Sequence, residues 1–158
     1  MNSYTSSTNH SLLRIPKSYA IVIAENPHMG SAPKTVLIIE DEEDAAELFA
    51  EMMRVSGFRV IKTSSSAPAI GLMAAEKPDV ILLDIMMPEV SGLDILRQMR
   101  RDPTLENIPV IVVSARGLPT DIKDGMEAGA STYLTKPVGF FDLKEAVERA
   151  LGNQSTAA

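Results

Sequence analysis

Short apolar runs alternate with amphipathic segments along most of the chain. A short run rich in apolar side chains and bounded by polar or turn residues is typical of a strand, and a run that is apolar on both faces indicates a buried one. We predict strands over residues 35–39, 58–61, 80–83, 110–113 and 132–135. Each of these runs is too short to form a helix of ordinary length.

The segments between these runs repeat apolar residues every three or four positions, which predicts helices with one buried face. In the first helix this spacing is carried by Ala45, Leu48, Phe49, Met52 and Val55. Further helices are predicted over residues 67–76, 93–100, 120–129 and 141–151, with Thr120 capping the fourth. Five strands alternating with five helices predict an α/β fold, a doubly wound parallel sheet of flavodoxin-like type with strand order 2-1-3-4-5.

Residues 1–33 differ in character from the rest of the chain. They are rich in Ser, Thr, Asn and Pro, and their one apolar patch, residues 19–24, is bracketed by Pro16 and Pro27. The patch is too short for a signal-peptide core. We expect an N-terminal extension that is disordered, or an added leader or misplaced start. A strand over residues 19–24 is the alternative. The domain is predicted over residues 34–152, with a tail over 153–158.

The composition excludes several classes of site. The chain has no Cys, which rules out disulfides and thiolate metal sites, and its two His residues, His10 and His28, both lie in the N-terminal extension. The net charge of −6 argues against direct binding to nucleic acid. No apolar run approaches the roughly 20 residues of a membrane helix. We therefore expect a cytoplasmic protein without membrane insertion.

Polar residues follow four of the five predicted strands. The first strand is followed by Glu40 and Asp41, the third by Asp84, the fourth by Ser114 and the fifth by Lys136. In an open doubly wound sheet, ligands bind outside the carboxyl ends of the strands, near the point where the strand order reverses. The predicted strand order therefore brings these side chains to one crevice.

The chemistry of these residues is consistent with phosphoryl transfer. Two neighbouring carboxylates repel each other by about 4 kcal/mol at 4 Å with an effective dielectric near 20, and a hard cation such as Mg²⁺ removes this repulsion. Lys136 and Ser114 are suited to holding phosphoryl oxygens. Asp84 can itself act as a nucleophile and form an aspartyl phosphate.

Each residue also has a purely structural explanation. Glu40 and Asp41 could simply favour the start of the following helix, Asp84 could cap a loop, Ser114 could lie in a turn, and Lys136 could be an ordinary surface lysine. Their occurrence together, at the ends of strands that share one sheet edge, favours the functional interpretation.

Several stretches resemble the receiver domains of bacterial response regulators, including the stand-alone, chemotaxis-regulator type. The matching stretches are VLIIEDE at 36–42, DVILLDIMMP at 79–88, SGLD at 91–94, IPVIVVSA at 108–115 and AGASTYLTKP at 128–137. The resemblance covers about residues 34–151. It implies that Asp84 accepts a phosphoryl group from a histidine kinase or a histidine phosphotransfer protein.

The resemblance also implies roles for individual residues. Mg²⁺ would be bound by Asp41, Asp84 and the backbone carbonyl of Met86, with Glu40 assisting through water. Ser114 would be the switch hydroxyl and Lys136 the phosphoryl-binding lysine. The remaining matches are Tyr133, the aromatic that swings inward on activation, and a cis bond between Lys136 and Pro137. Glu at 40 and Ser at 114 are mild departures from the commoner Asp and Thr.

We therefore predict a signalling switch that catalyses only its own phosphorylation and dephosphorylation, acting through its fourth helix, fifth strand and fifth helix. Met86 and Arg116 flank the path of a hydrolytic water and orient it poorly, which predicts slow loss of the phosphoryl group. A haloacid-dehalogenase-type phosphatase is one alternative, but Met86 stands where that family has its general acid. An unphosphorylated pseudo-receiver is another, and the intact Asp41, Asp84 and Lys136 argue against it. We expect a stand-alone receiver, which could form a homodimer when it is phosphorylated. No sequence motif identifies its downstream target.

Overall fold

A computed structural model of the chain describes residues 31–154. The predictions for the N-terminal extension, including a strand over residues 19–24, fall on residues 1–30 and lie outside the described residues. Residues 155–158 of the predicted tail lie outside them as well. The domain boundaries at residues 34 and 152 stay predictions.

Strands and helices alternate strictly within the described part of the chain. The five strands are β1 (Thr35–Ile39), β2 (Arg59–Thr63), β3 (Val80–Leu83), β4 (Val110–Ser114) and β5 (Thr132–Thr135). The five helices are α1 (Glu43–Val55), α2 (Ala69–Glu76), α3 (Gly92–Arg101), α4 (Pro119–Glu127) and α5 (Phe140–Gln154). None of the helices within residues 31–154 is long and apolar enough to cross a membrane.

All five strands form one parallel sheet with the order β2-β1-β3-β4-β5. The predicted fold and strand order are confirmed. From β1 the chain first moves outward to β2 and then returns to the other side of β1 to form β3. The order therefore reverses between β1 and β3, and the loops that follow these two strands run in opposite directions. A crevice at the carboxyl edge of the sheet is the consequence.

The sheet is covered on both faces, and each face has its own core. Along β1, Val36 and Ile38 pack with Phe49 of α1 and Leu143 of α5. Leu37 and Ile39 point the other way and join a second core, whose buried helical members are Ala69, Met73, Ile95, Leu96 and Met99. Because alternate residues of a strand face opposite sides, residues 36–39 of β1 are apolar on both faces.

The buried face of α1 differs from the prediction. Leu48 is 54% exposed and Val55 70% exposed, while Phe49 is buried as expected. The stripe that contacts the sheet consists of Ala46, Phe49, Ala50 and Met53. Of the other predicted residues, Ala45 and Met52 are partly buried against the same core, so the prediction is wrong only for Leu48 and Val55. The small Ala side chains let the helix lie close to the sheet, whereas the larger exposed residues dominate the sequence pattern.

Helix starts also differ by a few residues. The fourth helix begins at Pro119, with Leu118 in the cap position, and not at a Thr120 cap. Proline is favoured in the first turn of a helix because backbone N–H groups have no intrahelical acceptor there, so a residue without an N–H loses no hydrogen bond. The backbone N–H of Leu118 instead donates to the side chain of Asp121 at 3.3 Å. The fifth helix extends to Gln154, beyond the predicted end at residue 151.

Candidate functional site

The polar residues predicted at the strand ends all lie at the carboxyl edge of the sheet. The backbone hydrogen bonding of the sheet continues past the strands into these positions. The N–H of Asp84 donates to the carbonyl of Ile39 at 3.0 Å, and the N–H of Lys136 donates to the carbonyl of Ser114 at 2.8 Å. The backbone of each of these two residues is thereby fixed by the neighbouring strand. The bond between Lys136 and Pro137 is cis, as predicted.

Three carboxylates form the centre of the site. Glu40, Asp41 and Asp84 each offer one oxygen, and these oxygens lie within 4.8 Å of one another. Glu40 is 2% exposed and Asp84 6% exposed, while Asp41 is open to solvent. Burial raises the pKa of Glu40, and its hydrogen bond from Lys136 offsets that rise only in part. A cluster of hard oxygen donors with one open side fits Mg²⁺, which keeps several waters when it binds to protein.

Lys136 bridges the two buried carboxylates. Its Nζ donates to Glu40 Oε2 at 2.7 Å and to Asp84 Oδ2 at 3.1 Å. Burial disfavours the charge of Lys136, but these two hydrogen bonds outweigh it and raise the pKa of the ammonium. The same Nζ lies 5.9 Å from the centre of the Phe49 ring, a distance at which a cation is attracted to the face of an aromatic ring. The ammonium is therefore held in place from two sides.

Backbone donors orient the remaining carboxylate oxygens. The N–H of Met86 donates to Asp84 Oδ1 at 2.8 Å, and the N–H of Glu42 donates to Glu40 Oε1 at 3.1 Å. The start of α3 supports this arrangement, because a Cβ at Gly92 would lie 2.5 Å from the backbone oxygen of Asp84. Only glycine allows so close an approach. Sequence reasoning missed this role, although Gly92 belongs to one of the matching stretches.

A chain of hydrogen bonds connects Ser114 with Tyr133. Ser114 is completely buried, and its Oγ accepts from the N–H of Arg116 at 3.2 Å. The carbonyl of Arg116 in turn accepts from the hydroxyl of Tyr133 at 2.8 Å. Burial raises the pKa of the Tyr133 phenol, so it remains a donor at neutral pH. The backbone of one residue thus connects the two predicted switch side chains.

Met86 and Arg116 lie on the open side of the site. Together with Asp41 they line a groove of about 600 Å³. The side chain of Arg116 is 60% exposed and lies 4.0 Å from Asp121 of α4. Met86 is 46% exposed. Both predicted tuning residues therefore line a groove that adjoins the carboxylate cluster at Asp41, and their effect on hydrolysis stays a prediction.

A family profile described as the response regulator receiver domain matches residues 36–148. The chain belongs to the response regulator receiver family. This result confirms the resemblance noted from the sequence, and it leaves the haloacid-dehalogenase alternative without support. A receiver domain is a signalling module, and the carboxyl-edge cluster lies where the fold places its ligand site.

Individual relatives agree with this assignment. The polar-differentiation response regulator DivK of Brucella anthropi is 36% identical over 121 residues, which are 77% of this chain and 98% of that protein. The crystal structure of a putative response regulator from Chloroflexus aurantiacus is 28% identical in sequence and has a TM-score of 0.74. The match covers 77% of the present chain and 99% of the Chloroflexus chain. A CheY-like receiver protein from Methanospirillum hungatei, 21% identical, shares the fold with a TM-score of 0.75 over 80% and 100% of the two chains.

Proposed function

We propose that this receiver domain accepts a phosphoryl group on Asp84, in a reaction that requires Mg²⁺, from a histidine kinase or a histidine phosphotransfer protein. One carboxylate oxygen of Asp84 attacks the phosphorus, the bond from phosphorus to the donor nitrogen breaks, and an aspartyl phosphate is formed. The observation that carries the proposal is the cluster of Glu40, Asp41 and Asp84 around Lys136.

The proposed metal ligands are Asp41, Asp84 and the backbone carbonyl of Met86, with Glu40 acting through water. When bound, Mg²⁺ neutralises charge on the carboxylates and on the phosphoryl oxygens. The hydrogen bond from Met86 N–H holds Asp84 Oδ1 in position. The exposed side chain of Asp41 faces the groove through which the donor approaches. These contacts support a site that is open on the side of the donor and closed toward the core.

Lys136 and Ser114 are proposed to hold the transferred group. In the resting protein Lys136 donates to Asp84 Oδ2, and after transfer it can donate to a phosphoryl oxygen with a small movement of its flexible chain. Ser114 ends β4, the strand beside β3, which Asp84 follows. Its hydroxyl is proposed to turn toward a second phosphoryl oxygen. Such charge-assisted hydrogen bonds are about twice as strong as neutral ones.

The proposed output is a change of the surface formed by α4, β5 and α5. The new group adds about −1.5 to −2 charges. If Ser114 turns, its bond to the Arg116 N–H is lost, and the loop that positions the hydroxyl of Tyr133 is released. Four exposed apolar side chains lie on α4 and α5 or at the start of α4, and they offer a contact surface to a downstream protein or a second copy. These are Leu118, Ile122, Met126 and Phe141.

Incubation with acetyl phosphate and Mg²⁺ tests the function. We expect the intact mass to increase by one phosphoryl group, and we expect no increase for Asp84→Asn or when the metal is chelated. Asp94→Asn, which changes an exposed carboxylate of α3, is the matched control and should be labelled like the wild type. Absence of labelling in the wild type would instead indicate the pseudo-receiver, a module that acts by contact alone.

A further inference from the structure

Arg100, in the last turn of α3, donates four hydrogen bonds within the described part of the chain, and every acceptor is a backbone carbonyl. Its Nε and Nη2 donate to the carbonyl of Gly129 at 3.0 and 2.8 Å. Its Nη1 donates to the carbonyls of Glu106 at 2.8 Å and Ile108 at 2.9 Å. The guanidinium is partly buried, and this burial lowers its pKa. One side chain thus joins the loop before β4 to the loop before β5.

The carbonyl of Gly129 belongs to the turn that ends α4. The helix closes with a bond from the N–H of Ala128 to the carbonyl of Asp124 at 2.9 Å. Gly129 has a φ of +109°, and a Cβ there would lie 2.8 Å from Cγ of Arg100. Glycine therefore allows both the turn and the close approach of the arginine. The positive charge of Arg100 also lies at the negative end of the α4 dipole, where a cation is stabilising.

The helix that carries Arg100 is firmly packed. The buried residues of α3 are Gly92, Ile95, Leu96 and Met99. The loop before β4, which Arg100 also contacts, is bonded to the sheet, because the N–H of Ile81 in β3 donates to the carbonyl of Pro109 at 3.0 Å. Arg100 therefore connects the end of α4 to a fixed part of the domain.

By contrast, α4 buries little of its own surface. Among the residues of α4, all of which are described, only Gly125 is buried, whereas α1 buries four residues. Ile122 and Met126 are 36% and 44% exposed. The ring of Tyr133 lies beside Gly125, where a Cβ would be 2.7 Å from Cδ2 of the ring. Because apolar burial holds α4 only weakly, the polar contacts at its two ends decide how firmly it is attached.

The contacts at the N-terminal end of α4 are exposed. The N–H of Leu118 donates to the side chain of Asp121 within the helix itself. The side chain of Arg116 is 60% exposed and lies 4.0 Å from the same carboxylate. The hydroxyl of Tyr133 donates to the carbonyl of Arg116 at 2.8 Å, also at an exposed position. Exposed ion pairs contribute little to stability, so the C-terminal end of α4 is the more firmly held of the two.

We propose that Arg100 is the anchor of α4, which fixes the C-terminal end of the helix at Gly129 and leaves the N-terminal end to move. The anchor follows from the contacts above. The movement rests on the proposed function, in which the surface of α4, β5 and α5 changes on phosphorylation. With one end fixed, α4 tilts about Gly129 and does not shift as a whole. Of the exposed apolar residues, Leu118 then changes position most and Met126 least.

Amide hydrogen exchange tests the anchor, followed by NMR on the full chain without any phosphoryl mimic. The N–H groups of Ile122 and Ala128 each donate to the carbonyl four residues back, one near each end of α4. Helix ends open easily unless they are held, so we expect Ala128 to be more strongly protected than Ile122 in the wild type. Arg100→Met should lower the protection of Ala128 by about ten- to a hundredfold, the usual effect of losing hydrogen bonds to a charged group.

Two controls separate the anchor from a general loss of stability. Arg101 is next in the same helix and its side chain is exposed, so Arg101→Met should leave the protection of Ala128 unchanged. The amides of Leu37 and Leu82, in two buried strands, report the opening of the whole domain. Arg100→Met should lower their protection much less than that of Ala128.

Three outcomes would overturn the anchor. The first is a protection of Ala128 that Arg100→Met leaves unchanged. The second is an equal fall at Ala128, Leu37 and Leu82, since Arg100 would then stabilise the domain as a whole. The third is a wild type in which Ala128 is protected no more than Ile122, and this measurement decides even if Arg100→Met does not fold.

The tilt is tested by repeating the exchange measurement with beryllofluoride and Mg²⁺. In the wild type we expect exchange to change at residues 118–124 and to stay within about twofold at residues 128–130, because an anchored end opens no more readily. In Arg100→Met the change should extend along the whole helix. A change of equal size along all of α4 in the wild type would overturn the tilt.

Failure of the proposed function would look different. In that case the wild type would not bind beryllofluoride in a manner that depends on Asp84, and no exchange rate would respond to it. The tilt would then be overturned together with the function. The anchor is still decided, because the protection of Ala128 in the wild type and in Arg100→Met is measured without the mimic.

Discussion

Replacing Lys136 with Met tests how the buried carboxylates are stabilised. The substitution keeps most of the side-chain volume and removes the ammonium that lies 2.7 Å from Glu40 and 3.1 Å from Asp84. Carboxylate oxygens of Glu40 and Asp84 lie within 4.8 Å of each other. At that separation two unit charges repel by about 3.5 kcal/mol with an effective dielectric near 20.

The structure also limits the size of the effect. Burial already raises the pKa of Glu40, so without the ammonium this carboxyl can take up a proton in the folded state. We therefore expect Lys136→Met to lower the free energy of unfolding by about 3 kcal/mol at neutral pH, the low end of the range for breaking a buried ion pair. Because the pKa of Glu40 in the folded variant is above its unfolded value, the variant's stability falls as pH rises through the folded pKa. The loss should therefore disappear at acidic pH, below the unfolded pKa of Glu40.

Urea denaturation with and without Mg²⁺ is the assay. The cation should restore part of the lost stability, and it should stabilise Lys136→Met more than the wild type. Adding Asp84→Asn should also restore stability, because one of the two charges is removed. Lys123→Met, on the exposed face of α4, is the matched control. A loss below about 1 kcal/mol, which is the range of exposed ion pairs, with no response to Mg²⁺ would refute the reasoning.

Three further outcomes are expected. The phosphorylated protein should lose its phosphoryl group over many minutes, and the double variant Met86→Asn with Arg116→Glu should lose it faster. The control Met126→Asn, at an exposed Met of α4, should not change the rate. Phosphate release is followed with time, and a double variant no faster than the parent would contradict the prediction. Removal of residues 1–33 should leave the melting temperature and the labelling of Asp84 unchanged, and a large fall in the melting temperature would show that the extension stabilises the domain. Hydrogen exchange with and without beryllofluoride should change in α4, β5 and α5, whereas changes limited to the surroundings of Asp84 would argue against the switch.

The strand-end residues could be predicted from the sequence because their positions depend only on the limits of the strands and on the strand order. Buried parallel strands have to be apolar on both faces, so the limits of β1 and β3 are visible in the sequence, whereas the partly exposed β2 runs from Arg59 to Thr63 and not over 58–61 as predicted. Once the strand order is assumed, parallel strands bring their carboxyl ends to one edge. Asp84, Ser114 and Lys136 can therefore be assigned to a common edge without knowledge of any contact. In the structure the ammonium of Lys136 donates to Asp84, and its backbone N–H donates to the carbonyl of Ser114.

The orientation of α1 could not be predicted as well. Ala46 and Ala50 face the sheet while Leu48 and Val55 face solvent. Both sets have the spacing of a helix face, and the larger side chains have the stronger apolar signal. Which face of α1 is buried depends on how closely the helix packs on the sheet, and this is set by tertiary packing and not by the local sequence pattern.

Contacts between distant elements are also missing from the sequence-based predictions. The ring of Phe49 lies 5.9 Å from the ammonium of Lys136, and the ring of Tyr133 packs on Gly125. The sequence pattern indicates Phe49 only as a core residue, and it does not single out Gly125. A glycine inside a predicted helix is a signal that could have been used, since it has an energetic cost that a close contact can explain.

Mapping of the phosphorylated residue tests the central claim most directly. The full chain is labelled with acetyl phosphate and Mg²⁺ and reduced with borohydride, which converts an aspartyl phosphate to homoserine, and its peptides are then sequenced by mass spectrometry. The account predicts homoserine at position 84 and at no other Asp, and none when the metal is chelated. Homoserine at Asp41 or at another carboxylate, or none at Asp84 in a protein that gained the mass of a phosphoryl group, would contradict it.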